Sequence, residues 1–361
     1  MKSKRSIIII RLLAGGLLLG ISVLLILLSE WFPQMAEWHS VYVYKILVAV
    51  LGRFSGFFPF SLAELCVYGV VFGAIGTLIR AILRSLRERR PGAVMAKWFS
   101  GFFLTASVLI FLFVINCGIN YRSVSFSEKS GFMTVEYTIE NLKNVCIRLT
   151  EEVNERADLV ARDEAGVMIL EADEREDAVR AMEDLGKQYP ALAGYYPNPK
   201  KVFGSFLLSY LGLSGIYAPF TVEANYNRDM TDYNKPFTAC HELSHLRGFM
   251  QEEEANFIAF LACKDAGRED FQYSGYLLAW IYCMNELNRN DRAAWQEVRS
   301  TLNEKVNVDL RENSQFWAGY EGIMEEVSDK VNDTYLKANG QSDGVLSYDR
   351  MVNLVVSYYL E

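Results

Sequence analysis

The chain has 361 residues, 51% hydrophobic and 22% charged, with a formal net charge of −8 and a mean hydropathy of +0.08. The charge is divided, because residues 1–121 hold 12 Lys/Arg against 4 Asp/Glu and residues 122–361 hold 24 against 40. That split excludes a single soluble domain, a transporter whose spans fill the chain, and a nucleic-acid binder with a basic globular part. It leaves a membrane anchor at 1–121 and an acidic globular domain at 122–361.

Residues 12–29 carry no charge and follow Lys2, Lys4, Arg5 and Arg11, which predicts a first membrane-spanning helix at about 7–29. Bulky Trp31 and Phe32 stand where a signal peptide would have its small-residue cleavage site, so the segment reads as a retained anchor. The stretch 41–58 is apolar but interrupted by Lys45, Gly52, Arg53 and Gly56, and is expected to form an interfacial or re-entrant hairpin before Pro59. His39 is expected at the same interface. Second and third spans are predicted at 62–83 and 98–120. The loop between them carries Arg80, Arg84, Arg87, Arg89, Arg90 and Lys97 against Glu88. The positive-inside bias puts that loop and the N-terminus in the cytoplasm and the C-terminal domain outside it, in a multi-pass protein of the cell membrane whose first partner is the lipid bilayer.

Beyond the spans, Ile139, Leu142, Cys146, Leu149 and Val153 recur at helical spacing and predict an amphipathic helix within 135–160. Residues 161–200 are acid-rich and broken by Pro190, Pro197 and Pro199, which suggests a short helix between loops. The segment 215–225 (GIYAPFTVEAN) is expected to be one strand, ending at Glu223 and Asn225, which either pair with an extended substrate or anchor the loop. From Lys235 the pattern is helical almost to the end, with interruptions near Gly248, Gly267, 288–291 and 339–344. Cys66 and Cys117 fall in predicted spans. Cys146, Cys240, Cys263 and Cys283 match no zinc or redox spacing and are expected to be buried thiols, with one disulfide among the four as the alternative in an oxidising compartment.

Two of the three histidines lie in His241-Glu242-Leu243-Ser244-His245. On a helix, residues four apart share a face, so both imidazoles can reach one Zn²⁺, while Glu242 points beside the metal as a proton acceptor. The polar surroundings, including Asp229, Asp232, Lys235 and Arg247, separate the motif from a membrane-embedded site. A catalytic zinc ion takes a third protein ligand. Gly248 can end the helix and fold the next one back beside it, and three adjacent residues, Glu252, Glu253 and Glu254, then compete for the position.

HELSH followed by ExxAN resembles zinc metallopeptidases of the gluzincin type. That resemblance implies Glu252 as third ligand and Asn256 as the residue that braces a ligand histidine. The short separation departs from many such enzymes, and HExxHxxG is similar to metzincins, whose glycine turn brings the third ligand close. The whole chain resembles the bacterial membrane family called domain of unknown function 3810, through PFSL at 59–62, FTVEAN at 220–225, HELSH with Gly248-Phe249, EEANF at 253–257, NDTYLK at 332–337 and GVLSY at 344–348. Tyr348 and Arg350 are candidates for contacting substrate or an oxyanion. The expectation is a mainly α protein with a small β element: three N-terminal transmembrane helices and a zincin-like α+β extracytoplasmic domain that hydrolyses peptide bonds of a peptide or protein. The rival from another class is a zinc-binding sensor or scaffold without turnover.

Overall fold

The computed structural model describes residues 2–171, 173–339, 341 and 350–360. Three helices are long and apolar enough to cross a membrane, at Ser6–Trp31, Leu62–Glu88 and Pro91–Arg122. They fall in α1 (Lys2–Trp31), α2 (Leu62–Glu88) and the helix beginning with α3 (Pro91–Phe113). Each runs past the charges that set its predicted ends, because the backbone ladder continues through Arg80, Arg84 and Arg87 as through leucine. Pro91 starts α3 where a missing N–H is harmless. α3 packs along α1 and α2. Leu13 and Phe72 are 68% and 69% exposed, as suits helices with hydrocarbon for solvent.

The predicted hairpin at 41–58 is instead part of a helical run over 33–56. The run contains wide π turns at His39–Tyr44 and Val48–Gly52, the second of which takes in Gly52, while Lys45, Arg53 and Gly56 sit in α-helical turns. His39 is buried, with Nδ1 3.3 Å from Asn120 Oδ1. By its contacts the chain divides into two compact units, one of Met1–Tyr44, Leu62–Ser123 and Pro219–Thr221, the other of Lys45–Ser61, Val124–Ala218 and Val222–Glu361.

In the second unit α4 (Ile139–Ala157) is the expected amphipathic helix, started by a capping box of Thr138 and Asn141. It buries Leu142, Cys146, Leu149 and Val153, whereas Ile139 is exposed because it stands about 50° off the middle of that stripe. α5 (Glu174–Gln188) is capped by Asp173. After it come β1 (Lys200–Val202), which the sequence reading missed, and α6 (Ser205–Tyr210). The single strand expected at 215–225 is two, β2 (Gly215–Ala218) and β3 (Glu223–Asn227). The chain reverses between them at Pro219 and at Val222, whose φ is +53°. β2 pairs antiparallel and β1 parallel with β3, giving the order β1-β3-β2. β3 is therefore the central strand.

Helices follow: α7 (Asn234–Leu246), α8 (Glu252–Lys264), α9 (Glu269–Asn290), α10 (Arg292–Arg299), α11 (Glu304–Ala318), α12 (Ile323–Ala338) and α13 (Met351–Leu360). The breaks near Gly248, Gly267 and Asp291 match the expectation. Two more were missed, at 301–303, where Asn303 caps α11, and at 319–322. The last predicted interruption begins at Asn339 and lies mostly outside the described residues. α4, α8, α9 and α13 enclose the core, in which Trp280 Nε1 donates to Thr150 Oγ1 at 2.8 Å and Phe257 and Phe260 are fully buried.

Candidate metal centre

α7 lies on β2 and β3 and buries Ala239, Cys240, Leu243 and Leu246 on its inner sides, which orients the remaining face. His241 and His245 lie one turn apart on that face, their Nε2 atoms 3.0 Å from each other. The helix ends in a Schellman turn: Phe249 N–H donates to the Ser244 carbonyl at 3.2 Å and Gly248 N–H to the His245 carbonyl at 2.9 Å. Gly248 takes φ +108°, a conformation L side chains rarely adopt. The chain then turns back, and α8 opens with Glu252.

Glu252 Oε2 is 3.3 Å from His241 Nε2, and Oε1 is 3.6 Å from His245 Nε2. One donor atom from each of the three residues lies within 4.8 Å of the others. The neighbouring glutamates are engaged elsewhere. Glu253 pairs with Arg350 at 2.9 Å and accepts from Gln341 Nε2 at 2.9 Å, while Glu254 accepts from the Ser127 hydroxyl at 2.5 Å and the Ser127 N–H at 2.9 Å. Of the three candidates, Glu252 alone faces the histidines.

The donor set is two nitrogens and one carboxylate, a set that suits Zn²⁺. His245 Nδ1 must donate to the Phe249 carbonyl, 2.8 Å away, since a carbonyl only accepts, which leaves Nε2 as the atom that faces the centre. Burial would raise the Glu252 carboxyl, but the two imidazoles hold it well below the usual range. Burial would lower His245, and Glu252 overrides it, to about 9. His241 is lowered by burial and by His245. Without an ion the two imidazoles and Glu252 therefore share a proton, which a metal ion would displace.

Glu242 stands beside this centre, 4% exposed, with Oε2 lacking a hydrogen bond. Burial pushes its carboxyl up to about 8. It fits because Gly215 of β2 has no side chain: a Cβ there would lie 2.4 Å from Glu242 Oε1. β2 is an edge strand, and Asn227 N–H bonds the Ser214 carbonyl at 2.7 Å. The alternation of an antiparallel ladder therefore turns the Gly215 N–H and C=O away from β3, outward beside Glu242. The sequence reading missed Gly215, although a glycine opening a strand signals close approach.

The other candidates divide. Asn256, 2% exposed and one turn beyond Glu252, lies beside His241 and favours its protonated ring, yet His241 Nδ1 and Asn256 Nδ2 lack hydrogen bonds of normal geometry. Glu223 and Asn225 do not end an edge strand. They are buried in central β3, where both flanks are paired, and Asn225 Nδ2 donates to the Glu223 carbonyl at 3.1 Å. Substrate pairing there is corrected to anchoring of the hairpin. Arg350 belongs to Glu253, and Tyr348 lies outside the described residues. No sulfur–sulfur bond joins any of the six cysteines in this structure, and all but Cys66 are buried, so of the two in the spans Cys66 alone is exposed.

Neither the curated proteins nor the solved structures yielded a match to this chain. A family model does match, over residues 39–356, which takes in both the helix pair that bears the centre and most of the apolar N-terminal part. The chain belongs to that family, described as protein of unknown function (DUF3810).

Proposed function

We propose that the chain is a membrane-anchored, zinc-dependent metallopeptidase with a zincin-like domain, hydrolysing peptide bonds of an extracytoplasmic peptide or protein. One observation carries the reading: three convergent donor atoms on α7 and α8 with an unpaired carboxylate oxygen of Glu242 beside them. His241, His245 and Glu252 would hold the ion, which when bound supplies Lewis acidity to a substrate carbonyl and to water. Glu242 accepts the proton of the attacking water and delivers it to the leaving amine, the role a buried, otherwise unbonded carboxylate can fill. The outward N–H and C=O of Gly215 align an extended peptide along β2, next to Glu242. Orientation rests on the six basic residues between Arg80 and Lys97, which keep that loop cytoplasmic and the site outside.

The test uses the full chain in detergent. Metal analysis should find about one zinc per chain, and Glu242→Gln should retain it while losing turnover by at least about 10²-fold. Envelope peptides compared between cells carrying wild type and Glu242→Gln identify the substrate. Identical peptide profiles with zinc bound in both would replace the peptidase with a zinc sensor or scaffold.

A further inference from the structure

Cys240 immediately precedes His241 on α7, and Cys263 lies in the last turn of α8. Their sulfurs are 3.8 Å apart, and both side chains are fully buried where the two helices pack. A disulfide needs about 2.05 Å between sulfurs, so the two must approach by under 2 Å to bond. α9 packs close behind the pair because Gly275 has no side chain: a Cβ there would lie 2.6 Å from Cys263 Cβ. Neither thiol belongs to the His241, His245 and Glu252 cluster, which is the one metal-type cluster among the described residues.

We infer that Cys240 and Cys263 are joined by a disulfide in the mature protein, clamping the helix that bears the histidines to the helix that opens with Glu252. The inference rests on the outward orientation of the domain proposed above, because such bonds persist in oxidising compartments. Two thiols are oxidised and one external disulfide, carried by an oxidoreductase or a small dithiol, is reduced. The thiolate of one cysteine attacks that disulfide and expels one of its thiols; the second cysteine attacks the mixed disulfide and expels the other, with two protons passing to the released thiolates. Fully buried sulfurs meet no oxidant, so the exchange precedes the docking of α7 on α8. The clamp ties the two ligand-bearing helices together independently of any ion.

The experiment alkylates the full chain, isolated from membranes and denatured without reductant, and counts labels by mass. The six cysteines should give four labels before reduction and six after, with the Cys240 and Cys263 peptides recovered linked. Cys240→Ala should give five labels, since its partner is released as a thiol. An impermeant protease applied to intact cells reports in parallel which side the domain occupies. Six labels with the domain outside overturn the clamp while leaving the peptidase reading intact. Six labels with the domain inside overturn the orientation and the clamp together. A linked pair containing any other cysteine also overturns it.

Discussion

The Nδ1 of His245 donates to the carbonyl of Phe249, 2.8 Å away and four residues on. The turn that reverses the chain after α7 thus also fixes the tautomer of the second histidine. Gly248 makes this turn, so Gly248→Ala should strain it by roughly 1–3 kcal/mol and tilt the Phe249 carbonyl away. Zinc affinity should fall by about 10- to 100-fold, the range for losing a partner of a ligand histidine. Competition with a chelator measures it, and unchanged affinity would detach the turn from the centre.

The three glutamates at the start of α8 predict three different phenotypes. Glu252→Gln should abolish tight zinc binding together with His241→Ala and His245→Ala, because two side chains hold the ion poorly. Glu253→Gln should bind normally. Glu254→Gln should bind normally when folded but melt earlier, having lost its charge-assisted bonds from Ser127. Zinc content beside thermal melting separates the three, and zinc loss in Glu254→Gln alone would move the ligand assignment.

Gly215→Ala places a methyl group 2.4 Å from the Glu242 carboxylate. Turnover should drop at least about 10-fold with zinc content unchanged, since the proton acceptor is displaced and the donor set is not. Equal activity in the alanine variant would remove β2 from the site.

Asp309 is fully buried and carries Arg162 at 3.1 Å, the Met168 N–H at 2.8 Å and the Tyr273 hydroxyl. Asp309→Ala leaves a guanidinium without its counter-charge in the interior, which should destabilise the fold by about 3–5 kcal/mol. Denaturant melting of the detergent-solubilised chain reads this directly; a change under about 1 kcal/mol would mean that water reaches Arg162.

A reporter fused after Tyr121 should be active only outside the cytoplasm, as the arginine-rich loop before α3 requires. Cytoplasmic activity would reverse the orientation.

The sequence made the centre legible because its parts are local. Five residues at helical spacing, a glycine and a glutamate-rich helix start carry nearly all of it, so the i, i+4 rule and the turn suffice. The hairpin was not legible, because Pro219 and Val222 reverse a segment whose β-rich composition reads as one strand. Its assembly with β1, only three residues long, is decided by register with β3 and by packing under α7. The run over 33–56 was misread because single charges and glycines, Lys45, Gly52, Arg53 and Gly56, were counted as breaks although the helical backbone passes through them. Glu252 was named by resemblance, and nothing in the local pattern distinguished it from Glu253 and Glu254.

The consecutive glutamates point about 100° apart around the axis of α8, and each is held by a different part of the molecule. Arg350 with Gln341, and Ser127, act on that helix from two bearings, as guy ropes act on a mast. The bearing of Glu252 is therefore inherited from folding. An ion held there as proposed above would meet a carboxylate already aimed at it, so its binding would order almost nothing.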